Sequence, residues 1–143
     1  MNRKAWIQAA VLALSATLAL GAAAQTAAPA KQKVVIQVSD GDPAKWNMAL
    51  NNARNVQQEL GAAKVEIEIV AYGPGIGMLK ADATTSNRIS DAMQAGVRVV
   101  ACENTMASMK LTKADMHDDI GYAPSGVVEI MKRQGQGWSY IRP

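Results

Sequence analysis

Short β-branched runs alternate with helical stripes along most of this 143-residue chain, and that alternation constrains the fold more than any other feature. The stretch Lys33–Ser39 contains VVIQV and closes on Ser39-Asp40-Gly41-Asp42-Pro43, a turn signal. Asp42 before Pro43 opens a helix well, with an acceptor side chain at the cap and a fixed φ at the first helical position. Apolar residues then return at Trp46, Ala49, Leu50, Ala53, Val56 and Leu60, and Gly61 stops the helix. Val65, Ile67 and Ile69 alternate with Glu66 and Glu68 in a period-2 strand. Two glutamates cannot both face a dry core. This strand is therefore expected at a sheet edge or with one open face, its glutamates solvated.

Residues 71–78, AYGPGIGM, read as a glycine-rich loop. Ser86 opens a helix through Ile89, Ala92 and Met93 that closes at Gly96, and Val97–Ala101 is a third strand. Asn104 or Thr105 starts a short helix through Met106 and Met109, and Thr112–Asp118 adds another helical turn. Ile120–Ala123 is a short fourth strand, Val127–Met131 a helix stopped by Gly135, and Trp138–Ile141 the last strand. Lys132 and Arg133 fall in the last helical turn, where cations suit the helix dipole. Strands alternating with helices mean βα units, and right-handed crossovers place helices on both faces. The expected fold is a three-layer α/β/α domain with a mostly parallel sheet of about five strands. The chain has no Phe, so methionines share in filling the core. A single Cys excludes an internal disulfide.

The N-terminus, MNRKAWIQAAVLALSATLALGAAAQ, has a short basic start, an apolar run and small residues at Ala22-Ala23-Ala24. That is the order of a cleavable secretory signal over residues 1–24, too short to span a membrane. It implies export to the periplasm and no membrane attachment after cleavage. Residues 25–33 are small and polar and read as a disordered leader, which leaves 34–143 as one α/β domain. After cleavage 13 basic and 12 acidic residues remain, a formal charge of +1. No basic cluster with interleaved aromatics occurs, which speaks against a nucleic-acid partner.

In parallel α/β sheets, sites gather beyond the carboxyl ends of the strands. Three stretches emerge there: Ser39–Asp42, Tyr72-Gly73-Pro74-Gly75, and Cys102-Glu103-Asn104. Cys102 ends a strand just before a helix, where amides favour an anion and Glu103 opposes it. Asp40, Tyr72, Gly73, Gly75, Glu103 and Asn104 are the expected pocket around it. The GPGIG amides could hold an anion, but the loop lacks the Lys and Ser/Thr of a P-loop, and with Pro74 inside it the favoured reading is a tight turn lining a pocket or a subunit contact. Asp40 and Asp42 are explained by turn and cap roles. His117 has no Ser or Cys partner at a readable spacing, so a hydrolase triad is unsupported.

ACENTMASMKLTKADM, followed by IGYAPSGVVEIMKRQGQGWSYIRP, resembles the exported branch of the DsrE/DsrF-like family. The opening strand with its Asp-Gly turn and the AYGPGIGML loop fit the same pattern, over roughly residues 33–143. The resemblance implies a small α/β domain assembling as a trimer or hexamer. It also implies a sulfur-relay role in which Cys102, at the matching position, accepts a persulfide from a donor protein and passes it to an acceptor. No cofactor is implied. A different class of function uses the same fold as a non-catalytic oligomeric protein that binds a small ligand or partner. A third reading binds Cu(I) through Cys102, Met106 and Met109, with Met116 and His117 following, because thiolate, thioether and imidazole suit that ion. Against it, a methionine stripe is usually core. Trp138, Tyr140 and Ile141 add apolar surface that a partner subunit would cover.

Overall fold

A computed structural model describes residues 28–143. Residues 1–24, read as a signal peptide, and the start of the leader lie outside the described residues. The elements run β1 (Gln32–Val38), α1 (Pro43–Leu60), β2 (Val65–Ala71), α2 (Ser86–Gln94), β3 (Arg98–Cys102), α3 (Glu103–Ser108), β4 (Gly121–Ala123), α4 (Gly126–Gly135) and β5 (Ser139–Ile141). β1 begins at Gln32, so Gln32 and Lys33, read above as the end of the leader, belong to the strand. Asp42 Oδ1 accepts the Ala44 amide at 2.8 Å and Pro43 follows, so α1 starts where its residue types require.

The five strands form one sheet in the order β4-β3-β2-β1-β5, and every pairing is parallel. The chain steps outward from β1 to β4 and then returns to the far side of β1. Right-handed crossovers therefore put α1, α2 and α3 on one face and α4 on the other. The expected three-layer α/β/α arrangement is what the chain adopts. The larger core lies under α1 and α2 and includes Ile36, Ile69, Met78, Leu79 and Ile89, all fully buried. The smaller one lies under α4 and holds Val35, Val70, Val100, Ala123, Ile130 and Trp138.

The strand order overturns one expectation. β2 is the centre of the sheet, not an edge. Glu66 is exposed as expected, but Glu68 is 0% exposed. The reason is α4, which lays Arg133 over that position. Arg133 Nε donates to Glu68 Oε1 at 3.0 Å. Its Nη2 is 2.7 Å from Glu68 Oε2 and 2.9 Å from Glu129 Oε1. The Arg98 guanidinium reaches Glu68 Oε2 at 3.5 Å from the next strand. Oε2 thus takes ion-pair contacts without a well-angled hydrogen bond. Arg133 also lies 4.8 Å from the Trp138 ring centroid. Its charge serves this buried cluster more than the helix dipole. Among the described residues, no helix is long and apolar enough to cross a membrane.

Candidate functional site

Cys102 is the last residue of β3 and the N-cap of α3, in extended backbone. The alternation along β3 sends Val99 and Ala101 into the larger core and Val100 to the α4 side. Cys102 follows Val100 onto that side and is 5% exposed. A Cβ on Gly126 would stand 3.2 Å from Cys102 Cβ and 3.1 Å from Tyr72 Cβ. Glycine at 126 thus lets the first turn of α4 sit directly against the cysteine.

Polar groups of α3 and α4 surround the thiol. Burial pushes its pKa up, but hydrogen bonds from the Thr105 hydroxyl and from the amides of Gly126, Thr105 and Asn104 outweigh that, and the thiol lies below its ordinary value. Thr105 is oriented for this. Its Oγ1 accepts the Gly73 amide at 3.0 Å, which leaves its own proton for the sulfur. The Asn104 amide also donates to the Pro124 carbonyl at 3.1 Å, tying α3 to the end of β4. Glu103 is half-buried in the first turn of α3, and the Asn104 side chain is exposed. In register with Cys102 is Ala123, which lines a cleft of about 290 Å3 with Arg98, Val100, Tyr122, Glu129 and Arg133.

Tyr72 and Gly73 therefore do come to Cys102, together with Glu103 and Asn104. Gly75 shapes the loop from behind. It is buried, and its amide is spent on the Tyr72 carbonyl at 3.1 Å. With the Gly73 amide given to Thr105, the GPGIG segment is a closed 3-10 turn running Gly73–Leu79 and not an anion cradle. Asp40 is placed elsewhere. Its carbonyl accepts Trp46 Nε1 at 2.7 Å, and its carboxylate faces Arg142 at 3.5 Å beside β5.

The donors of the Cu(I) reading are dispersed. Met106 and Met116 pack in the larger core, Met109 is exposed, and Cys102 faces α4. Among the described residues, no group of three or more His, Cys, Asp or Glu side chains could hold a metal ion. His117 does have a serine partner. Its Nε2 lies 3.0 Å from Ser90 Oγ, and its Nδ1 lies 2.6 Å from the Asp118 carbonyl. This pair ties α2 to the segment before β4 and is remote in sequence, 27 residues apart. Thr105 and Gly126 were missed by sequence reasoning. The one available signal was the Cys-x-x-Thr spacing, which places a hydroxyl one turn into a helix that the cysteine caps.

A model of the DsrE/DsrF-like family matches residues 32–143. Among solved structures, protein MTH1491 of Methanobacterium thermoautotrophicum, of unknown function, is 34% identical with a TM-score of 0.76, covering 79% of this chain and 100% of that one. Protein BT1422 of Bacteroides thetaiotaomicron, also of unknown function, is 15% identical with a TM-score of 0.64, covering 78% and 95%. The ychN protein of E. coli is 8% identical with a TM-score of 0.64, covering 79% and 99%. The last two share the fold alone. A comparison with curated proteins finds no match. The match over almost all of the described residues, together with the first of these structures, shows that the chain belongs to the DsrE/DsrF-like family.

Proposed function

We propose that this protein carries sulfane sulfur on Cys102. The observation that supports it is a cysteine held below its ordinary pKa by Thr105 and three amides although it is buried. That shift favours the thiolate, and the thiolate is the nucleophile in sulfur exchange. The step balances without an outside oxidant. The Cys102 thiolate attacks the terminal sulfur of a donor persulfide and a new S–S bond forms. The donor's own S–S bond breaks and its thiolate leaves. Transfer to an acceptor thiol is the same exchange in reverse. Thr105 and the Gly126 amide would then hold the outgoing or incoming negative charge, and Tyr72 and Gly73 would wall the site. Residues 1–24 acting as an export signal would place this chemistry in the periplasm.

Incubation with glutathione persulfide followed by intact-mass measurement tests the reading. The wild-type protein is expected to gain one sulfur atom that a reductant removes, and Cys102→Ser is expected to gain none. A wild-type protein that stays unloaded, or a serine variant that loads equally, overturns it.

We also propose that the protein is a trimer or hexamer. Val127, Val128 and Met131 stand 49%, 59% and 63% exposed on the outer side of α4, more apolar surface than a lone helix usually shows water. Trp138, by contrast, is buried within the chain and is not part of that surface. Light scattering of the mature protein is expected to give three or six chains, and a monomer would contradict the assembly.

A further inference from the structure

We propose that the cleft between α4 and β4 is a carboxylate-binding subsite, through which Arg98 and Lys132 select short peptidic persulfides as the partners of Cys102. What this says of Cys102 rests on the sulfur-carrier reading above. The cleft itself follows from its place in the sheet and its charges.

The opening comes from the shortness of β4. β3 runs Arg98–Cys102, but β4 pairs with it only from Val100 to Cys102. Arg98 therefore has no strand on its β4 side, and a cleft of about 290 Å3 is left there. Gly121, opposite Val100, contributes no side chain to fill it. A Cβ there would stand 3.4 Å from Val100 Cγ2, one of the cleft's lining groups.

Arg98, Lys132 and Arg133 line this cleft together with Glu129. With Glu68 behind them, three cations meet two carboxylates. The short contacts all belong to Arg133: 2.7 and 3.0 Å to Glu68, and 2.9 Å to Glu129. What is left for the other two cations is long. Arg98 Nη2 is 3.5 Å from Glu68 Oε2, and Lys132 Nζ is 4.0 Å from Glu129 Oε2. Their side chains are 62% and 61% exposed. Both carboxylates are thus committed to Arg133, and one net positive charge remains on two side chains with donors to spare. A guanidinium fork and an ammonium on facing elements suit a carboxylate. Val100 and Ala123 between them suit an aliphatic body.

The cleft is in line with the thiol. Residues i, i+2 and i+4 of a strand share a face, so Arg98, Val100 and Cys102 all face α4. The contacts of Arg98 with Glu68, of Val100 with the smaller core and of Cys102 with Gly126 agree. Ala123, in register with Cys102, is the lining residue at that end. Four residues of strand separate Arg98 from Cys102 by about 13 Å. An extended chain of two or three residues spans about 7–10 Å, and the arginine side chain covers the rest. A peptide of that length, with its sulfur at Cys102 and a carboxylate at Arg98, lies across Val100. A single amino acid is too short to reach both.

Isothermal titration of the full mature protein with S-methylglutathione tests the subsite without exchange at sulfur, because a thioether forms no disulfide. The wild type is expected to bind this dicarboxylate saturably at millimolar concentration or below. Its dimethyl ester, which carries no carboxylate, should bind at least about tenfold more weakly. Arg98→Gln is expected to weaken binding of the acid about tenfold, as loss of a charge-assisted hydrogen bond predicts, and Lys132→Gln several-fold. Absence of saturable binding to the wild type overturns the proposal. So does an ester that binds as well as the acid, or wild-type affinity in Arg98→Gln. If Arg98→Gln does not fold, unchanged affinity in Lys132→Gln overturns it instead. Loading from glutathione persulfide is scored separately. Arg98-dependent binding to a wild type that never loads keeps the carboxylate subsite and removes the carrier reading. A protein that loads on Cys102 but ignores S-methylglutathione does the reverse.

Discussion

Replacing Gly75 with alanine is expected to destabilise the fold by at least about 3 kcal/mol and to lower the melting midpoint by roughly 15 °C. A Cβ at this position would lie 2.2 Å from the Val38 carbonyl oxygen, 2.6 Å from its carbon and 2.9 Å from the Ser39 nitrogen. These are backbone atoms at the end of β1, not the tip of a flexible side chain, so the conflict cannot be relieved by a rotamer change. The 3-10 segment would have to lift from β1. That motion breaks the hydrogen bond from the Tyr72 amide to the Val38 carbonyl, 3.1 Å long. It also drags Ile76, Met78 and Leu79, each 2% exposed or less, out of the larger core. Gly135 supplies the contrast. Nothing lies within 4 Å of its would-be Cβ, and it ends α4 without a positive φ. Gly135→Ala should be neutral or stabilising by up to about 1 kcal/mol, through the unfolded chain and helix propensity. Thermal melts of the two variants side by side check the sign of each. Equal melting points would mean that the loop yields where its packing says it cannot.

The glycine-rich segment shows what kind of information a single chain carries. Its position after a strand, and the turn it must make, were legible from GPGIG itself. Its purpose was not, because the reason for Gly75 is a carbonyl 37 positions earlier in β1. The same division runs through the molecule. The α1 cap at Asp42 and Pro43, the stop at Gly61 and the place of Cys102 at a strand end are all local properties, and all appear in the structure. Strand order is not local. Without it, Glu66-Ile67-Glu68 reads as an edge strand, since nothing near residue 68 announces a cation 65 residues further on. Thr105 and Gly126 were hidden for a similar reason. The hydroxyl matters because Gly73 orients it, and the glycine matters because α4 crosses over the thiol. The family resemblance located the cysteine but could not describe the polar groups around it, which come from the first turns of α3 and α4.

The buried ion pair makes the other large prediction, and it depends on pH. Arg133→Met keeps most of the stem that packs near Trp138 and removes the charge from above Glu68. A carboxylate with no exposed surface then faces one cation, the largely solvated Arg98, and the like charge of Glu129. Breaking a buried pair in this way costs about 3–5 kcal/mol when the remaining group must stay charged. Here the carboxylate has an escape, which is to take up a proton. Relative to the ordinary glutamate value of 4.5, that costs about 1.4 kcal/mol for each pH unit above it. The electrostatic deficit of the variant is therefore capped at about 3.4 kcal/mol at pH 7 and about 0.7 kcal/mol at pH 5. The wild type shows the same sign in milder form. Burial raises the Glu68 pKa and its bonds with Arg133 and Arg98 only partly restore it. A carboxyl raised in the folded state contributes stability that is complete below the unfolded value and is lost as pH rises through the folded one. Removing Arg133 pushes that folded value further up and widens the window. Urea unfolding of both proteins between pH 5 and pH 7 should show their stabilities converging toward acid. A deficit of the same size at both ends of that range would mean that Arg133 acts through packing alone, and that the charge on Glu68 is not what it holds.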